Sequence, residues 1–198
     1  LMRLNDKLRA ELRADIHAER FDVTPEGIFF PRSGLNIAGE YFGRVNGGEW
    51  AKESDNLVVT EGLVHILNVA LGSTAKPAGY YLALFSGSTT PAANWTAASF
   101  AAVANEITSQ SEGYTAATRP QWVPVNASTT AQIDNFTAAA SLTMATASSL
   151  NVTGAALLTS SQRGGTTGAL ISASAFPVPR VFQSGDLYEL GYRLNASV

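Results

Sequence analysis

The chain has 198 residues, of which 45% are apolar and 15% charged, with a formal net charge of −3, two histidines and no cysteine. A soluble domain usually carries about 25% charged residues, so this chain is poor in charge. Without cysteine it can hold no disulfide framework, thiolate nucleophile or thiolate-bound zinc, and His17 and His65 alone cannot furnish an imidazole-rich metal site. No cofactor or metal is expected. The acidic balance lacks the basic cluster that a phosphate backbone requires, which argues against a nucleic-acid partner. No apolar run reaches the roughly 18 residues of a membrane span, and Leu1-Met2-Arg3 leads into charged sequence rather than a secretion signal.

Charge is also unevenly spread. Residues 1–56 hold 18 of the 29 charged side chains, whereas Ala, Ser and Thr make up 59 of the 142 positions in 57–198. This contrast predicts two modules, an attachment or oligomerisation segment at 1–56 and a separate folded domain at 57–198.

Residues 2–20 read as an amphipathic helix, because Leu4, Leu8, Leu12 and Ile16 recur every four residues among charged neighbours. Four aliphatic residues make a thin stripe, suited to lying on another surface or on copies of itself, and these four are the candidate protein-docking residues. Lys7–Glu11 attracts while Asp15–Glu19 repels, so ion pairing does not account for the helix. Its mixed-sign polar face is unlike that of a membrane-surface helix. Asn46-Gly47-Gly48 follows Glu40–Val45 and precedes Trp50, which predicts a hairpin whose Tyr41, Phe42 and Trp50 form a small core.

The second module opens with a short helix over 57–71, in which Leu63, Ile66, Leu67, Ala70 and Leu71 are spaced to face a core. His65 lies beside that face. From Tyr80 the period changes to two. Strands are expected at 80–85, 106–108, 119–125, 131–137, 141–146, 150–159, 169–173, 180–183 and 187–195, and residues 86–99 read as a loop carrying Trp95. Many short strands with one helix define a mainly β fold, an antiparallel β-sandwich of jelly-roll-like type. Small and hydroxyl side chains suit strands with one buried and one solvated face, and a surface poor in charge suits assembly.

Catalytic patterns are absent from the sequence. No Gly-x-Ser-x-Gly elbow occurs, and Gly164-Gly165-Thr166-Thr167-Gly168 lacks the Lys of a phosphate-binding loop. Glu106 and Glu112 flank one loop but have no spacing that distinguishes acid–base work from turn chemistry. Asp186 after Gly185 has no ladder of further acids to hold calcium. The Asn-x-Ser/Thr triplets at Asn94, Asn126, Asn135, Asn151 and Asn195 reflect the abundance of Ser and Thr.

Several runs carry a resemblance. Leu57-Val58-Val59-Thr60-Glu61-Gly62-Leu63, Tyr80-Tyr81-Leu82-Ala83-Leu84-Phe85, Glu106-Ile107, Gly113-Tyr114, Ala117-Thr118-Arg119-Pro120-Gln121-Trp122, Gly164–Ile171, Ser184–Tyr188 and Tyr192-Arg193-Leu194 resemble tailed-bacteriophage virion proteins of the tail-fibre and capsid-decoration type. The resemblance covers about residues 57–198 and identifies no catalytic residue. It implies a non-enzymatic structural subunit located in the virion, with other virion proteins of tail, neck or capsid as partners and a homo-oligomeric, trimeric assembly. The first expectation is a tail or neck fibre docked through its N-terminal segment, and the second a capsid cement protein. A third is a host-glycan-binding module in which Trp95, Tyr114 and Trp122 stack on sugar.

Overall fold

The computed structural model describes residues 35–197 and the backbone of two short segments, 21–23 and 29–31. The docking stripe Leu4, Leu8, Leu12 and Ile16 lies outside the described residues. Strands β1 (Phe21–Val23) and β2 (Phe29–Pro31) pair antiparallel and belong to a compact unit of their own, separate from the unit spanning Ile37–Ala196.

The larger unit is an antiparallel β-sandwich. One sheet runs β4 (Ala51–Asp55), β3 (Asn36–Val45), β13 (Leu187–Ser197), β10 (Ala140–Ala145) and β7 (Gly113–Tyr114), and β9 (Gln132–Asp134) pairs with the far end of β13. The other runs β5 (Leu57–Val58), β12 (Leu170–Phe182), β11 (Leu150–Leu158), β6 (Tyr80–Phe85) and β8 (Gln121–Trp122). Helix α1 (Thr60–Ala70) follows β5, and helix α2 (Ala97–Val103) follows β6.

The alternation expected for half-buried strands is clearest in β13 and β10. Tyr188, Leu190 and Tyr192 of β13 face inward with Ala140, Leu142 and Met144 of β10, and the intervening residues face out. Across the core they meet Leu82, Leu84, Val152, Ala155, Leu157 and Phe182 of the second sheet. That second sheet departs from the expected pattern. Its outer face, carrying Ala83, Phe85, Ala156, Leu158 and Ala173, is covered by Val59, Trp95, Ala97, Phe100 and Ala104. With both faces buried, β6 and β11 read as nearly continuous apolar runs rather than as alternation.

Helix α2 occupies part of the segment read as a loop. Thr96 caps it, its hydroxyl accepting from the Ser99 amide at 3.3 Å while the Ser99 hydroxyl accepts from the Thr96 amide at 3.1 Å. An Ala-rich run with Phe100 follows, so a capping signature was present. Strand β12 likewise joins the two strands expected at 169–173 and 180–183. Between Val152 and Gly154 its partner β11 advances two residues while β12 passes from Arg180 to Ala175, so Phe176–Pro179 form a bulge with Phe176 in the core and Pro177–Pro179 exposed, and the prolines break no bond of this ladder.

The module boundary also moves. The hairpin β3–β4 is part of the sandwich, not of the N-terminal segment, and the larger unit starts at Ile37 rather than at residue 57. Its charges explain why the composition misled. Arg44 is bidentate to Glu189 at 2.7 Å, Glu53 accepts from Arg180 at 2.8 Å, and Glu40 lies 3.6 Å from Arg193. The charge-rich hairpin and the charge-poor remainder therefore complete one another. The turn itself forms as expected, with Asn46 at φ 53° and Gly47 at φ 72°. Tyr41, Phe42 and Trp50 do not form a separate core, because neighbours along a strand point to opposite faces. Tyr41 enters the sandwich core, while Phe42 and Trp50 pack outside against Phe136 at centroid separations of 5.0 and 5.2 Å.

Candidate interaction surface

The sandwich places its ionisable groups in structural work. Glu106 and Arg119 form a fully buried, bidentate pair at 2.7 Å, and the second carboxylate oxygen also accepts from the Gly164 amide at 2.9 Å. Arg119 donates further to the Ser160 carbonyl at 2.9 Å. The glycine-rich loop 164–168 is thereby anchored to the 106–119 loop by a carboxylate, which leaves that carboxylate no free oxygen for proton transfer. Glu112 accepts from the Thr146 hydroxyl at 2.8 Å and the Ala147 amide at 2.9 Å, ordinary turn chemistry. Asp186 accepts from the Gln183 amide and from Asn46, both of which hold its carboxyl below the usual range, the Gln183 amide most strongly. Among the described residues, no group of three or more His, Cys, Asp or Glu side chains converges to hold a metal ion.

Two further buried networks are also closed on themselves. Asn56 donates to the Tyr192 hydroxyl at 2.6 Å, and Ser172 links Tyr192 to Tyr41 at 3.2 and 3.0 Å. Burial raises both phenols well above their ordinary range, so neither is an acid at neutral pH. Tyr188 donates to Glu53 at 3.0 Å, and burial followed by the Glu53 charge raises its phenol as well.

The three aromatic residues expected to stack on a glycan are corrected by their burial. Trp95 is 6% exposed, Tyr114 0% and Trp122 4%, so none offers a ring face to a sugar. Trp95 packs on Phe85 beneath α2. Tyr114 lies under the Arg163 guanidinium, 3.7 Å from its ring centroid, and burial pushes its phenol up to about 12. Trp122 donates its indole N–H to the Tyr192 carbonyl at 3.0 Å. Arg163, which carried no signal in the sequence, holds the 107–116 loop by donating to the carbonyls of Ile107, Ser109, Tyr114 and Ala116.

Among the described residues, one group of exposed apolar side chains lies around α1, apart from Val178 and Val181 on β12. Of the residues expected to face the core, Ile66 does so, but Leu63, Leu67, Ala70 and Leu71 do not. Glu61, Gly62, His65, Ile66 and Val69 face the sandwich, whereas Leu63 (39% exposed), Val64 (52%), Leu67 (51%) and Leu71 (85%) face out. Two contacts set that rotation. Gly62 lies so close to the Ile171 backbone that a Cβ would overlap the Ile171 carbonyl. One oxygen of Glu61 accepts from the amides of Ala97 and Leu170, both at 2.7 Å, tying α1 to the starts of α2 and β12. His65 lies 3.2 Å from the Tyr80 hydroxyl, and burial lowers its pKa from the usual value.

Beside α1 the two sheets do not close completely. A cavity of about 330 Å³ is lined by Ile66, Tyr80, Trp122, Val123, Leu157 and Leu194, among others. A second, of about 240 Å³, shares Ile66, Ile133 and Leu194 with it and reaches Ile37, where the chain enters the sandwich. Lys76 is the one charged side chain among the described residues lining either. Val123 and Val125 at the rim are about half exposed. Helix, rim and cavities lie together at one end, and at the opposite end Asn46 and Asp186 lock the β3–β4 and β12–β13 turns together.

The architecture defines the class: an antiparallel β-sandwich with exposed aliphatic residues along α1. No family model matches the chain, and no curated protein sequence is significantly similar to it.

Proposed function

We propose that the chain is a non-enzymatic structural subunit of a tailed-bacteriophage particle, a tail or neck fibre protein that docks through its N-terminal segment and assembles as a homo-oligomer. One observation supports this reading above the others. The carboxylates that could have done chemistry, Glu106, Glu112 and Asp186, each hold loops, whereas Leu63, Val64, Leu67 and Leu71 along α1 are exposed among the described residues. A surface that spends its polar groups on rigidity and keeps apolar groups outside is built for contact with other protein. The sequence resemblance to virion proteins supplies the setting, and the aliphatic stripe Leu4, Leu8, Leu12 and Ile16 supplies the attachment.

Immunogold labelling of intact particles with antibody to this chain tests the proposal. Label on the tail or neck, at a copy number far below that of the major capsid subunit, is expected. Label over the whole capsid in numbers matching that subunit replaces the fibre by a cement protein, and absence from purified particles overturns both. Leu8→Asp with Leu12→Asp is expected to leave the sandwich folded and abolish incorporation. Normal incorporation of that variant refutes the docking role.

A further inference from the structure

We propose that Asn46 is a self-modifying position, whose side-chain amide converts to a carboxylate with time and thereby unlocks the β3–β4 turn from the β12–β13 turn. Asn46 is the one asparagine of the chain followed by glycine. In that pairing the backbone nitrogen of the glycine can attack the side-chain carbonyl carbon, because glycine sets no side chain in its own way. A bond forms between the Gly47 nitrogen and Asn46 Cγ, the Cγ–Nδ2 bond breaks, and the side-chain nitrogen leaves as ammonia. Water then opens the cyclic imide at either carbonyl. The product is aspartate or, with the backbone rerouted through the side-chain carbon, isoaspartate. The surroundings favour this position over other asparagines. Asn46 and Gly47 are exposed, and nothing lies within 4 Å of where a Gly47 side chain would stand. Asn105 shares the left-handed backbone, at φ 53°, but the next residue is the buried Glu106, whose amide is engaged with the Ala101 carbonyl at 3.1 Å. Asn135 is fully buried, and the Phe136 amide after it donates to Asp134 at 3.2 Å.

The same side chain is the lock. Its Nδ2 donates to Asp186 Oδ1 at 2.9 Å, its Oδ1 accepts from the Leu187 amide at 2.8 Å, and its backbone amide donates to the Leu187 carbonyl at 2.8 Å. These bonds restrain the side chain, so conversion waits for a local opening and runs slowly in the folded chain. Its consequence is large for so small a change. In the aspartate product a carboxylate oxygen replaces the donor that faced Asp186, and two like charges stand where a hydrogen bond was. Asp186 does not turn aside freely, because its other oxygen accepts from the Gln183 amide at 2.8 Å. The isoaspartate product instead adds a backbone atom to a turn closed by the Gly48 amide on the Val45 carbonyl at 3.0 Å. By either route the two turns separate, and nothing in the chain reverses the step.

The purified full chain, aged in mildly alkaline buffer and mapped by peptide mass spectrometry, is expected to gain the mass of an amide-to-acid conversion at Asn46 before any other asparagine. Asp186→Ala frees the side chain and is expected to raise that rate about three- to tenfold, the weight of one exposed hydrogen bond. Asn46→Asp, the aspartate product made directly, is expected to lower Tm by about 2–6 °C and to speed hydrogen exchange at the Leu187 amide. Asn46→Asp with Asp186→Asn exchanges the amide and the carboxylate, restores a donor between them and keeps an oxygen for the Gln183 amide. That exchange is expected to recover most of the lost Tm, and it decides the matter if Asp186→Ala fails to fold. Earlier conversion of another asparagine, or a rate indifferent to Asp186→Ala, overturns the proposal. An Asn46→Asp chain as stable as the parent, or no recovery in the exchanged pair, overturns it equally.

Discussion

Arg119→Met isolates the most heavily committed charge in the sandwich. Arg119 and Glu106 are both fully buried and joined by two hydrogen bonds of 2.7 Å. Removing the guanidinium leaves a carboxylate whose one remaining bond in the cluster comes from the Gly164 amide, and it also strips a donor from the Ser160 carbonyl. Breaking a buried pair from one side costs about 3–5 kcal/mol, because the partner charge stays in a medium that cannot solvate it. For a domain of this size that corresponds to a fall in Tm of about 6–20 °C. Replacing both partners, Arg119→Met with Glu106→Leu, removes the stranded charge and leaves only neutral backbone groups short of a partner, each costing about 1–3 kcal/mol. The double variant is therefore expected to be about 2 kcal/mol more stable than Arg119→Met alone. Urea unfolding at neutral pH measures all three. A loss below about 1 kcal/mol for the single variant, or a double variant less stable than the single, refutes the reasoning.

Gly62→Ala is expected to cost about 1–3 kcal/mol, since the new methyl meets the Ile171 carbonyl and α1 must shift outward; an unchanged Tm would show that the helix can move freely. His65 has a depressed pKa, so the unfolded chain binds its proton more readily than the folded one. Stability is thus full above the unfolded value of about 6.5 and falls as pH drops below it toward the folded value. Tm measured from pH 7.5 down to pH 5.5 is expected to decline less in His65→Gln than in the parent chain, and parallel curves would remove His65 as the cause.

Much of the fold was legible because it rests on local pattern. The strands over 80–85, 141–146, 150–159 and 187–195 recur as β6, β10, β11 and β13, each within a few residues of its expected ends. Asn46-Gly47 forms its turn because both residues tolerate positive φ. The interaction surface was less legible. The α1 helix is apolar around most of its circumference, so periodicity alone could place Leu63 and Leu67 inward or outward with equal ease. Trp95 and Tyr114 fall between the expected strands, and only the packing of α2 over Phe85 and of Arg163 over Tyr114 buries them, while Trp122 falls within the strand expected at 119–125.

Composition and periodicity thus determined the class of the fold. Tertiary structure decided which charges find partners, joining Arg44 to Glu189 and Glu53 to Arg180 and so moving the domain boundary to Ile37. It also decided which face of α1 is exposed. The physical reason is the range of the interactions. Turn and strand preferences act over a few residues, whereas the rotation of α1 is set by Ile171 and Leu170, more than a hundred positions away.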